Sequence, residues 1–93
     1  MFVRILKKMR DRIRTCQYVM TLHAEEEMND EDLTIFDVEH GILTGKIVER
    51  QKDRETGEWK YLVKGLTLVE SDIFVVTKLS STNKLVIITV YIE

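Results

Sequence analysis

A chain of 93 residues holds one domain and no second core, since domains typically run to roughly 100–150 residues. Its 44% hydrophobic and 32% charged residues are the balance of a globular protein and exclude a disordered tail. The single cysteine, Cys16, rules out an internal disulfide, and two histidines make no zinc-type cluster, so neither a metal nor another cofactor is expected. Cys16 reads as a small buried apolar residue.

The net charge of -2 is unevenly spread. Residues 1–16 carry six basic side chains and one acidic, residues 17–40 carry eight acidic and none basic, and the rest carries eight basic and seven acidic. Any anion site is therefore local. In the first fifteen residues six basic side chains interrupt every apolar stretch, which excludes a membrane span or a signal-peptide core and points to a cytoplasmic protein.

In chain order, residues 1–16 predict a basic amphipathic helix. Phe2, Leu6, Met9, Ile13 and Cys16 recur every three or four positions, so one stripe seeks a partner, either the domain's own core or another molecule. Residues 17–45 predict a helical region. Thr21 can cap a helix through Leu22, Ala24 and Met28, with Glu25, Glu26 and Glu27 in its first turns, where the dipole favours negative charge. Thr34 and Asp37 have capping-box spacing before the stripe Ile35, Val38, Ile42 and Leu43, and Gly45 suits a left-handed C′ position.

From Lys46 to residue 93 the period falls to two and β-branched residues dominate. Strands are predicted at 46–52, 59–68, 72–79 and 85–92, the first two joined by a turn with Gly57 at positive φ. Short links make an antiparallel meander. In the last strand, strict alternation would turn Val86, Ile88, Val90 and Ile92 toward the helices and Leu85, Ile87, Thr89 and Tyr91 away. The fold class is thus α+β, with two to three N-terminal helices before a four-stranded antiparallel meander.

The order Leu22-His23-Ala24-Glu25-Glu26-Glu27-Met28, then Leu33-Thr34-Ile35-Phe36-Asp37-Val38 leading to a glycine, then a strand closing on Ile88-Thr89-Val90-Tyr91, resembles the bacterial family known as domain of unknown function 4258. That family is similar in turn to the small metal-independent ribonuclease toxins of the RelE, barnase and colicin type. The resemblance implies a curved sheet holding RNA on its open face and a zinc-finger or helix-turn-helix antitoxin as partner. It matches His23 to the family's helix histidine, and Thr89 and Tyr91 to its terminal strand motif. The family usually has an arginine four residues after that histidine, where this chain has Glu27.

Metal-free RNA cleavage needs a base for the 2′-hydroxyl, an acid for the leaving oxygen and a cation for the developing charge. His23 is the natural acid or base, oriented by Glu26 or Glu27 at helical spacing. Tyr91 can donate to a phosphate, and Lys60, Lys64, Lys78 or Arg50 can offset its charge. The plainer readings are a locally bonded helix histidine, half-buried sheet tyrosines, solvated lysines and a solvated acidic face. His40 reads as structural. A toxin-like endoribonuclease is therefore weighed against a non-catalytic protein-interaction module using the basic first helix or the sheet face. Pairing of edge strands or of the first helix's stripe would give a homodimer.

Overall fold

A computed structural model describes residues 2–92, so Met1 and Glu93, the ends of the expected domain, lie outside the described residues. Helix α1 (Val3–Arg14) buries Met9 and Ile13 and ends with Arg12 and Arg14 in its last turn, where cations complement the dipole. Cys16 follows in the turn with φ 57 and is exposed, not buried. The left-handed turn takes it off the helical stripe that the spacing suggested.

The region expected to be helical from 17 to 45 contains a strand. β1 (Tyr18–Met20) pairs in parallel with the last strand, Tyr18 opposite Leu85 and Met20 opposite Ile87. Helix α2 (Leu22–Asp30) then starts at Thr21, whose hydroxyl accepts from the Ala24 N–H at 3.1 Å. Helix α3 (Ile35–Thr44) has the complete capping box of Thr34 and Asp37. Its Gly45 is extended, with φ -87, so the expected left-handed C′ geometry is absent.

Strands β2 (Lys46–Lys52), β3 (Trp59–Leu66), β4 (Asp72–Leu79) and β5 (Leu85–Ile92) run antiparallel in sequence. Gly57 has φ 74 in the first hairpin, as its position predicted. With β1 beside β5, the sheet has five mixed strands in the order β1-β5-β4-β3-β2, which corrects the four-stranded antiparallel expectation. Three residues are too few to show an alternating pattern, so β1 left no periodic signal.

The helices cover one face. Met9, Ile13, Ala24, Val38 and Ile42 pack there with Tyr61, Val63, Ile73, Val75, Leu85, Ile87 and Val90. Leu85 and Ile87 thus belong to the core, whereas strict alternation had placed them outside. The cause is an irregularity in register: Val76 opposes Thr89 but Thr77 opposes Ile87, leaving Ile88 as the extra residue of a bulge. Beyond it, Val90 and Ile92 face the core while Thr89 and Tyr91 face away. A second bulge falls at Val48.

Candidate functional site

The uncovered face takes its side chains from alternate positions of the strands. Register places Phe74, Val76 and Lys78 of β4 beside Tyr91, Thr89 and Val86 of β5, and Phe74 and Val76 beside Lys64 and Leu62 of β3, with Lys60 lining the same face as Leu62 and Val76. Three of the four expected cations, Lys60, Lys64 and Lys78, therefore share a face with Thr89 and Tyr91. At its centre Phe74 and Tyr91 are stacked, with ring centroids 5.0 Å apart and planes 7° from parallel. The Lys64 ammonium lies 5.7 Å from the Phe74 centroid. A shallow depression of about 170 Å³ adjoins them, lined by Glu49, Gln51, Lys60, Leu62, Val76 and Tyr91.

The lysines are not equivalent. Lys78 Nζ is 3.3 Å from Glu58, and Lys60 Nζ is 3.9 Å from Asp53. Asp53 is itself held below the usual carboxylate range, first by the Glu55 N–H and more weakly by Lys60. Those two cations sit toward the hairpin end with carboxylates at hand. Lys64 has no ion pair among the described residues and stands next to Lys46 across the strands, with Asp72 lining the same end of the sheet.

Arg50 is elsewhere. It opposes Tyr61 on the helix side of the sheet, and its guanidinium lies 4.2 Å from the Trp59 centroid and 5.8 Å from that of Phe2. It packs aromatic rings there and is separated from the lysine face by the sheet itself.

His23 stands on the first turn of α2, beside the outer edge of β5. Its Nε2 is 3.2 Å from Glu27 Oε1, and its side chain is 66% exposed. Of the two glutamates at helical spacing the structure thus selects Glu27, while Glu26 points to solvent. The same Glu27 oxygen accepts the Val90 N–H at 3.2 Å, which fixes the carboxylate between histidine and strand. His23 Nδ1 makes no hydrogen bond among the described residues. Among the described residues no three or more His, Cys, Asp or Glu side chains gather as a metal site, and no helix is long and apolar enough to cross a membrane.

Sequence reasoning missed Phe74, although its alternation with Val76 and Lys78 was readable. Its stacking on Tyr91 needed the β4–β5 register, which no local pattern supplies. It also missed Tyr18, whose hydroxyl donates to Glu39 at 2.6 Å and ties β1 to α3. Burial, and then the Glu39 carboxylate, push the Tyr18 phenol far above its ordinary range.

No curated protein and no solved structure matches the chain. The family model described as "Domain of unknown function (DUF4258)" matches residues 20–92, from the end of β1 through β5. This span includes the His23–Glu27 pair and the whole lysine and aromatic face, and the chain belongs to that family.

Proposed function

We propose that the chain is a toxin-like, metal-independent endoribonuclease that lays single-stranded RNA across its open sheet face. The observation that carries the reading is the stacked Phe74–Tyr91 pair beside Lys64, Lys60 and Lys78 on one uncovered surface. Aromatic faces stack on bases of any sequence, and nearby lysines follow the phosphates. The net charge of -2 does not oppose this, because residues 17–40, which hold half of the acidic side chains, lie in β1 and the helical segment. A RelE-like relationship belongs to the same proposal.

In this reading the His23 imidazole exchanges its proton through Nδ1 while Glu27 holds Nε2. As base it takes the 2′-hydroxyl proton, the 2′-oxygen attacks phosphorus, and the bond to the 5′-oxygen breaks to leave a 2′,3′-cyclic phosphate. A second proton donor serves the leaving 5′-oxygen, and Tyr91 is the candidate to hydrogen-bond the phosphate. The test is cleavage of a labelled RNA in excess chelator by the wild type, His23→Ala and Phe74→Ala. His23-dependent cleavage with intact folding supports the reading; RNA left intact at stoichiometric protein overturns the catalytic part. A non-catalytic interaction module is the second reading, favoured by the basic, apolar groove beside α1.

A further inference from the structure

Between α1 and the start of β2 runs a groove of about 800 Å³. Its floor is apolar, formed by Phe2, Leu6 and Ile47, and its rim is cationic, formed by Lys7, Arg10, Arg14 and Lys46; among the described residues no acidic side chain lines it. Arg10 is held in place by donating from Nη2 to the Gly45 carbonyl at 2.9 Å, while its Nε is buried without a partner. The groove reaches Lys46 and Ile47 at the start of β2, an edge strand: β3 pairs with one side of it, and the other is unpaired among the described residues.

We propose that this groove takes an extended, acidic segment of a partner protein, which lies along the free edge of β2. Its apolar residues cover Phe2, Leu6 and Ile47, and its carboxylates meet the cationic rim. An unpaired strand edge offers backbone donors and acceptors to an extended chain. The side chains decide which chain is accepted. If a second copy paired its own β2 here about a twofold axis centred on Glu49, Lys46 would oppose Lys52 and Glu49 would oppose its own copy, and opposed like charges are unfavourable. The Val48 bulge blunts the edge in the same sense. Those cations attract an acidic strand. RNA fits less well, because phosphates gain nothing from an apolar floor and the Phe2 ring already has the Arg50 guanidinium 5.8 Å from its centroid.

The probe is a fluorescein-labelled octapeptide alternating glutamate with valine or leucine, measured by anisotropy at low ionic strength. Saturable binding is expected, with no binding of the same peptide carrying lysine for glutamate. The exposed double variant Lys7→Glu/Arg14→Glu should fold normally by circular dichroism yet bind at least roughly tenfold more weakly. Amide exchange within β2 should slow on binding. The proposal is overturned if the wild type does not bind the acidic peptide, if the double variant binds it equally well, or if a single-stranded RNA displaces it. It is equally overturned if light scattering shows a dimer that Leu6→Asp dissociates. None of these results depends on whether the opposite sheet face cleaves RNA.

Discussion

The Val90 N–H donates to Glu27 Oε1 at 3.2 Å, and that oxygen is also the one that meets His23 Nε2. By Val90, β5 has run past its partner β1, whose pairing stops at Ile87. Thr21 takes over the edge first: its N–H donates to the Ile87 carbonyl and its hydroxyl to that of Ile88. Glu27 completes the seal. The carboxylate beside His23 thus has a structural task, satisfying a strand donor that would otherwise be left without a protein partner.

Removing that carboxylate should destabilise the fold. Glu27→Ala leaves the half-buried Val90 N–H unsatisfied, at a cost on the order of 1–3 kcal/mol. Glu27→Gln keeps an acceptor and should retain most of the stability while removing the charge beside His23. Thermal denaturation of the two variants checks this; equal melting temperatures would show that the strand edge does not need Glu27.

The open face makes a prediction about binding alone. Phe74→Ala and Tyr91→Ala should each weaken a short single-stranded RNA roughly ten- to a hundredfold, since stacking contributes about 1–3 kcal/mol per base. Tyr91→Phe should keep the stacking contribution and lose only the smaller contribution of the hydroxyl that donates to a phosphate. Lys64→Ala should lower affinity and flatten its salt dependence, whereas Arg50→Ala, on the opposite face, should leave that slope unchanged. Filter binding at several salt concentrations measures all five, and an Arg50 effect equal to that of Lys64 would contradict the assignment of faces.

Much of this architecture was legible because it is written locally. Thr21 and Thr34 announce their helices through side-chain chemistry three residues long, and β2 to β5 reveal themselves by β-branched alternation. What was hidden depends on contacts distant in sequence. The pairing of Tyr18–Met20 with β5 spans the whole domain, and the bulge at Ile88 reverses the faces of Leu85 and Ile87 relative to strict alternation. Arg50 was misplaced for the same reason: the bulge at Val48 changes which β2 side chains join the lysine face. Phe74 and Tyr91 meet only through register.

The capping box also predicts a pH response. Asp37 accepts from the Thr34 N–H and hydroxyl, and its other oxygen accepts from Leu68 N–H at 3.0 Å, which links α3 to the turn after β3. The Thr34 backbone bond, chiefly, and then that from Leu68 hold the Asp37 carboxyl below its usual range against the opposing effect of burial. A carboxyl depressed in the folded state contributes stability above its ordinary pKa of about 4, and the contribution is lost as pH falls through the folded value. Asp37→Asn should therefore be less stable than wild type at neutral pH, and the difference should shrink in acid. Thr34→Ala should cost about 1 kcal/mol, or a melting shift of roughly 4–8 °C for a domain of this size. A gap between Asp37→Asn and wild type that stays constant into acid would remove the charged box from the account.

The closest approach of helix to sheet supplies the last prediction. Gly65 of β3 lies directly under Gly41 of α3, and a Cβ built on Gly65 would overlap the Gly41 carbonyl oxygen. Nothing there can rotate away, because the obstacle is backbone. A Cβ on Gly41 would instead come 2.6 Å from Cγ2 of Ile73, a side chain that can shift, though in a packed core only at a cost. Overpacking usually costs about 1–3 kcal/mol and occasionally more. Gly41→Ala should fall within that range, and Gly65→Ala should exceed it, because α3 must lift from β3 and open the layer where Val38, Ile42 and Val63 pack. Chemical denaturation of both variants tests the order. A Gly65→Ala protein as stable as Gly41→Ala would mean that the helix is free to move off the sheet.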